Sequence, residues 1–226
     1  MLGVDCMIGI EPSYLGESMA QAVVRDIDKN DPGRGLDLRK LGMWTFLGSE
    51  VFFFGALVVT HLSMRGVVAP SSSKANYDVA AVRNLFGDNV LTSILAFILL
   101  TSSLTMVLAL DGVKTNNQKR FRFWLGATIA CGLVFLGGQV YEFYHIVHEG
   151  VTIKNMMFGS TFFFVTGFHG THVAVGVVWL TSLLVSAIRH PERYNAGNYM
   201  AVELGGLYWH FVDLVWVLIF TVIYLI

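Results

Sequence analysis

The chain has 226 residues, of which 54% are hydrophobic and only 14% are charged. Charged residues make up about 25% of an ordinary soluble domain, so this composition excludes one. The formal net charge of −1 says nothing about nucleic acid, but no basic patch is interleaved with aromatic residues, so no nucleic-acid partner is expected. The composition therefore indicates a membrane protein.

The first 40 residues contain no apolar stretch long enough to enter a membrane. Asp5 and Glu11 interrupt the N-terminus, and no basic region precedes an apolar core, so this segment is not interpreted as a signal peptide. Cys6 in this segment and Cys131 in a later apolar stretch give no disulfide framework. The sequence predicts that residues 1–40 are a tail, mobile or lying on the membrane surface.

Five apolar stretches follow the tail, and each is long enough to cross the hydrocarbon core as a helix, which takes about 17–25 residues. All four prolines fall between or before these stretches, as uninterrupted helices require. A membrane β-barrel would instead show alternating strands of about 10 residues. Residues 41–226 are therefore predicted to form one all-α domain, a bundle of five transmembrane helices. The predicted helices are 41–62, 89–110, 123–144, 159–187 and 202–225.

Lysine and arginine are distributed unequally between the two sides that such a bundle would have. Eleven lie in the tail and after the second and fourth helices, whereas four lie after the first and third. Because cytoplasmic loops carry the excess of positive charge, the sequence predicts a cytoplasmic N-terminus and a C-terminus outside. The eleven are Arg25, Lys29, Arg34, Arg39, Lys40, Lys114, Lys119, Arg120, Arg122, Arg189 and Arg193, and the four are Arg65, Lys74, Arg83 and Lys154.

Several ionisable residues lie inside the apolar stretches. A charge at bilayer depth costs about 2.5–3.5 kcal/mol, so such residues usually mark function or a specific partner. Three predicted helices supply them to one layer near mid-depth, except that Glu203 is predicted at the interface. Spacings of three or seven residues keep side chains on one helix face. The sequence therefore predicts an interior network in which carboxylates and imidazoles satisfy one another. Its predicted members are Glu50, His169, His172, Glu203, His210 and Asp213.

A second polar cluster is predicted at the outer end of the third helix, formed by Gln139, Glu142, His145 and His148. Residues at this depth usually reach headgroups and water, where charges cost less. Glu142 and His145 also have the Glu-x-x-His spacing of di-iron carboxylate bundles.

A di-iron site needs a second such motif and two further glutamates at one level, and the sequence supplies neither. Haem ligation is chemically open to His169, His172 and His210, but no opposed pair is arranged. The sequence therefore predicts satisfied structural histidines and no metal site.

Four separate blocks resemble subunit III of the haem-copper cytochrome c and quinol oxidases. Block 42–55 is similar to the family's helix with a buried glutamate, and block 138–145 to its Gln/Glu-Tyr helix end. Block 159–173 follows the family's most diagnostic stretch, and block 208–216 matches its C-terminal block. The resemblance covers residues 41–226 in order.

The resemblance implies a subunit without haem or copper, and without an active site of its own, in an oxidase that reduces oxygen and pumps protons. Haem and copper would lie in partner subunits, with subunits I and II as partners. Bound phospholipid and support for proton uptake are also implied. Glu50 corresponds to the family's buried carboxylate, and His169, His172, His210 and Asp213 to its recurring polar residues. Long forms have seven helices, whereas the five predicted here resemble bacterial forms and imply a bacterial plasma membrane.

Two alternatives stay open at this point. One is an independent membrane metalloenzyme that uses the histidines. The other is a small proton-coupled transporter with a relay through Glu50 and Asp213, although repeated halves or broken helices, which transporters often have, are not visible in the sequence.

Overall fold

The computed structural model describes residues 37–64, 90–148 and 157–225. Most of the predicted tail, residues 1–36, lies outside these described residues. The same holds for the four cations assigned to the outer side and for three of those assigned to the tail. Residues 45–226 belong to one compact unit. The described part of the other unit, residues 37–44, is the beginning of the first helix.

Five long helices make up nearly all of the described chain, and each is long and apolar enough to cross a membrane. This confirms the predicted all-α bundle of five transmembrane helices. A 3-10 turn, Pro191–Arg193, precedes the last helix, which ends in a π-helical turn, Thr221–Leu225. The helices are α1 (Leu38–Met64), α2 (Val90–Lys114), α3 (Gln118–His148), α4 (Met157–Arg189) and α5 (Met200–Phe220).

Helices α1 and α3 extend beyond both ends of the predicted apolar stretches, and α2 and α4 extend at least at their C-terminal ends. Helix α3 starts five residues earlier than predicted, at Gln118, and continues to His148. Hydropathy marks only the part of a helix that lies in hydrocarbon. Backbone hydrogen bonding continues into the interface, where polar side chains are tolerated, so the helices are longer than their apolar segments.

The centre of the bundle is built around α5, which buries ten of its 21 residues. Its two tryptophans, Trp209 and Trp216, are both fully buried. Small residues on neighbouring helices let them approach: a Cβ on Gly132 of α3 would lie 2.7 Å from the Trp209 ring. Close backbone approach of this kind is a main source of helix association in membranes, where the hydrophobic effect between helices is absent.

Helix α1 is the most peripheral, because only four of its 27 residues are buried. It contacts the bundle through aromatic rings. Phe53 lies edge-to-face with Phe168 of α4 at 5.3 Å, and Phe46 stacks on Tyr208 of α5 at 6.4 Å. This one-sided contact places the adjacent face of α1, which carries Glu50, against α4.

At one end of the bundle the α2–α3 turn is fastened to the α4–α5 connection. Asn116 has a φ of 56°, a left-handed conformation in which asparagine is enriched. Its side-chain oxygen accepts a hydrogen bond from the backbone of Ala196 at 2.9 Å, and Gln118 donates to the carbonyl of Tyr194. These contacts fix the register of α2 against α5, on which the central polar groups depend.

Candidate functional site

Glu50 and His172 join α1 to α4. Their side chains are 18% and 19% exposed, and Oε2 of Glu50 lies 3.3 Å from Nε2 of His172. The ring of Phe54, one turn further along α1, packs edge-on against the imidazole at 5.0 Å. The pair is therefore largely shielded by aromatic and helical surroundings.

The hydrogen-bond geometry indicates which ring nitrogen of His172 carries a hydrogen. Nδ1 of His172 lies 2.8 Å from the backbone carbonyl oxygen of Phe168. A carbonyl oxygen can only accept, so Nδ1 carries a hydrogen and donates it. Nε2 then faces the Glu50 carboxyl, and two lone pairs would repel each other unless one hydrogen lies between them. A favourable contact at this distance therefore needs one hydrogen between Nε2 and Oε2.

A second group, called here the Ser103 cluster, consists of Ser103 on α2 with His210 and Asp213 on α5. Ser103 donates its hydroxyl hydrogen to Oδ2 of Asp213 at 2.5 Å. Its Oγ also lies 3.0 Å from Nδ1 of His210. Because the one hydroxyl hydrogen is given to Asp213, Ser103 accepts from the Nδ1–H of His210.

The order of contacts in the Ser103 cluster differs from that of a hydrolytic triad. In a triad the histidine lies between the serine and the acid and removes the serine proton. Here the serine lies between the histidine and the acid. The cluster is therefore a hydrogen-bond bridge between helices and not a nucleophilic site.

His169 is placed differently from its predicted neighbours in the network. It is fully buried, stacked on Trp216 at 4.9 Å and edge-on to Phe135 at 5.8 Å. Neither ring nitrogen has a hydrogen-bond partner among the described residues. His169 and His172 are three residues apart on α4, and that offset turns one ring into the aromatic centre and the other towards α1.

Glu203 lies in the first turn of α5, roughly 10 Å along the helix axis from His210 at a rise of about 1.5 Å per residue. Acidic side chains are favourable at a helix N-terminus because of the macrodipole. Its position therefore suits the end of α5, and the described contacts of the Ser103 cluster do not include it.

The four residues predicted as an outer cluster are spread over different surroundings. Gln139 is buried and donates to the carbonyl of Thr166 on α4 at 2.7 Å. Glu142 accepts from Thr92 on α2 at 3.1 Å. His145 and His148 are exposed. The first two therefore tie α3 to its neighbours, and the other two face the surroundings of the bundle.

Two contributors were missed in the sequence. His61 on α1 is buried, and its Nδ1 lies 2.9 Å from the hydroxyl of Thr161 on α4. Its spacing of eleven residues from Glu50, about three helical turns, was a usable signal that both lie on one face. Ser103 gave no such signal, because a serine in an apolar helix most often bonds to its own backbone.

Within the described ranges, no group of three or more histidine, cysteine, aspartate or glutamate side chains is arranged to hold a metal ion. The imidazoles are instead distributed over separate contacts: His172 with Glu50, His210 with Ser103, His61 with Thr161 and His169 with aromatic rings.

Comparison with known proteins supplies the family. The family model described as "Cytochrome c oxidase subunit III" matches residues 31–226. The chain belongs to the cytochrome c oxidase subunit III family. The resemblance found in the sequence blocks is thereby confirmed, and the family is that of the non-catalytic subunit III of haem-copper oxidases.

Curated relatives in the family are similar over most of their length. Cytochrome c oxidase subunit 3 of Bacillus subtilis (strain 168) is 41% identical over 187 residues, covering 82% of this chain and 84% of the relative. The protein of the same name from Alkalihalophilus pseudofirmus is 40% identical, with 82% and 85% covered. The "Probable quinol oxidase subunit 3" of Staphylococcus saprophyticus is 38% identical, with 84% and 90% covered.

Membership in the subunit III family has direct consequences for this chain. It is a subunit of a multi-subunit oxidoreductase complex. Together with five membrane-spanning helices and bacterial relatives, this makes it a multi-pass protein of a bacterial plasma membrane.

Proposed function

We propose that this chain is a cofactor-free subunit that binds beside subunits I and II of its oxidase and has no oxidase activity by itself. Haem and copper would lie in those partners. The observation that carries the proposal is that the intramembrane carboxyl groups Glu50 and Asp213 each pair with side chains from a neighbouring helix of this same chain. Side chains engaged in this way stabilise the association of helices in a membrane.

Stabilisation of the catalytic subunit is supported by the rigidity of the central helices. Trp209 of α5 donates to Ser102 of α2 at 2.9 Å, and Thr105 and Thr128 join α2 to α3 at 2.8 Å. Contacts of this kind hold the exposed apolar faces in a fixed geometry. A partner helix packing on such faces would meet a preformed surface and lose less conformational entropy.

Phospholipid binding is supported by an apolar groove on α4. The groove has a volume of about 310 Å³ and is lined by Phe163, Phe164, Gly167, Phe168 and Thr171. Its aromatic walls suit an acyl chain. The lining has no charged group, so a lipid bound here would be recognised by shape and not by its headgroup.

The proposed orientation has the N-terminus in the cytoplasm and the C-terminus outside. It is supported by the excess of lysine and arginine in the tail and after α2 and α4. In this orientation the fastened α2–α3 and α4–α5 connections face the cytoplasm. Support for proton uptake by the partner subunits would then act from this side.

Purification through a tag on this chain tests the proposal. In mild detergent, the chain should bring down partner subunits that carry haem and copper in defined proportion. After dissociation, the separated chain should hold no stoichiometric metal. Purification without a haem-bearing partner would refute the assignment as an oxidase subunit, and iron or copper retained by the separated chain would refute its cofactor-free character.

A further inference from the structure

The Ser103 cluster lies near the middle of two helices that span the membrane. Ser103 and Asp213 are each 13 residues from the start of their helices, Val90 and Met200. At a rise of about 1.5 Å per residue, this is about 20 Å along each axis. Ser103 is therefore at the middle of α2, and Asp213 lies seven residues, about 10 Å, before the end of α5, where the π-helical turn Thr221–Leu225 continues the helix.

The carboxyl group in this cluster is incompletely satisfied. Asp213 is only 3% exposed, and Ser103 is the donor to its Oδ2. Its Oδ1 has no hydrogen-bond partner in the described part of the chain. From α2 the cluster is faced by Ser103 and from α5 by His210, and within the described residues no lysine, arginine or second carboxylate pairs with it. An ionised Asp213 beside a neutral His210 would thus leave an uncompensated charge in apolar surroundings, which membrane interiors disfavour.

We propose that the Ser103 cluster is a proton-binding site that holds one proton, shared between Asp213 and His210 through the hydroxyl of Ser103. Addition of one proton to the cluster changes its net charge from −1 to zero. The bound proton removes the uncompensated charge without a metal, a water or a residue from another subunit.

The hydrogen-bond order allows the proton to be held in two ways. With the proton on His210, the imidazolium donates from Nδ1 to Ser103, which donates to an ionised Asp213. If the Nδ1 hydrogen moves to Oγ and the hydroxyl hydrogen moves to Oδ2, His210 becomes neutral and Asp213 becomes a carboxylic acid. The heavy atoms need not move between these two states.

The surroundings also give the site a direction of access. Asp213 is buried, whereas His210 is only half-buried. A proton would therefore enter and leave at the Nε2 atom of His210 and reach Asp213 through Ser103. This inference goes beyond the proposed function, because it assigns a proton site to this chain and not to its partners.

The neighbouring Ser102 provides a matched control. It lies beside Ser103 on α2 and is likewise hydrogen-bonded, but it is buried, accepts from Trp209 and donates to the carbonyl of Leu99. It has no contact with either titratable group of the cluster. Ser102→Ala and Ser103→Ala thus remove the same group from adjacent positions, and only the second removes the proposed relay.

Solid-state NMR on the intact oxidase complex in lipid bilayers tests the proposal, with 15N in histidine rings and 13C in aspartate carboxyl groups. The His210 signal is assigned by its loss in His210→Gln and the Asp213 signal by its loss in Asp213→Asn. If one of these variants does not assemble, another substitution at the same position gives the assignment. The proposal is supported if, at neutral pH, the spectra show one proton in the cluster. This means either a protonated Asp213 with a neutral His210 or an ionised Asp213 with a protonated His210. A carboxylate with a neutral imidazole, or both groups protonated, overturns it.

The relay is tested separately from the proton count. Replacement of Asp213 by Asn should shift the ring nitrogen signals of His210 when Ser103 is present, and the shift should vanish in a Ser103→Ala background. It should persist in Ser102→Ala. An unchanged His210 spectrum in Asp213→Asn alone, or an equal shift without the Ser103 hydroxyl, would show that no proton is shared through it. These signals do not depend on copurified haem, so they are independent of the test of the proposed function.

Discussion

Replacement of Glu50 separates the contribution of its hydrogen bond from that of its charge. Glu50→Leu leaves Nε2 of His172 without the carboxyl that lies 3.3 Å away, while the Nδ1 bond to the carbonyl of Phe168 is kept. One buried polar atom thus loses its partner, which costs about 1–3 kcal/mol. For a chain of this length, that lowers the melting temperature by about 2–4 °C per kcal/mol.

Glu50→Gln is the matched comparison, because its amide can donate to a neutral Nε2 and so supply the hydrogen between the two side chains. We expect it to melt close to wild type, with Glu50→Leu below both. The measurement is thermal release of this chain from the purified complex in mild detergent. Phe52→Leu, at a side chain that is 81% exposed, controls for the general effect of substitution on α1. Equal release temperatures for Glu50→Leu and wild type would refute the pairing of Glu50 with His172.

Three further substitutions follow from local packing, and the same release assay measures each of them. Gly132→Ala should destabilise by about 1–3 kcal/mol because its Cβ would lie 2.7 Å from Trp209, whereas Gly137→Ala, with nothing within 4 Å, should not. His169→Phe should stay within about 1.5 kcal/mol of wild type, since neither ring nitrogen has a partner in the described structure; a larger loss would reveal a missing contact. Asn116→Val should destabilise more than Asn116→Gly, because both lose the hydrogen bond from Ala196 and only valine is strained at a φ of 56°; equal stabilities would contradict this.

The sequence predicted the fold well because the physical cause of each helix is local. Twenty apolar residues in a row need a helix in lipid, whatever they later contact. The prediction that Glu50, His172, His210 and Asp213 share one layer likewise came from counting residues along each helix. Family membership was also visible, because the diagnostic blocks are contiguous in the chain.

The partners of these groups could not be read from the sequence in the same way. The position of a residue along its helix predicts which residues share a layer of the membrane. Whether two of them are in contact also depends on the rotation of each helix about its axis. Ser103 was missed because only packing turns it towards α5, and His169 was grouped with His172 although their rings point to different neighbours. Glu203 shares the helical stripe of His210 but lies at the start of α5.

The polar contacts of the bundle can be grouped by the two helices that each contact joins. This grouping indicates how the sequence selects one arrangement of the helices. Lipid tails are as apolar as the helix surfaces, so apolar contact alone chooses poorly among pairings. Each of five neighbouring pairs has at least one side-chain hydrogen bond that only the correct partner satisfies. The pairs are α1–α4 through His61 and Thr161, beside the Glu50–His172 contact, α2–α3 through Thr105 and Thr128, α2–α5 through Ser103 and Asp213, α3–α4 through Gln139 and Thr166, and α4–α5 through Tyr208 and the carbonyl of His172.

His172 takes part in two of these pairs, since its ring meets α1 and its carbonyl meets α5. Loss of the Glu50 contact therefore acts at the residue that also receives the hydrogen bond of Tyr208. Helix α1 has little buried surface of its own, so its attachment depends on α4 being held in place by α5. The Glu50–His172 contact and the packing of the central helices are thus coupled through a single turn of α4.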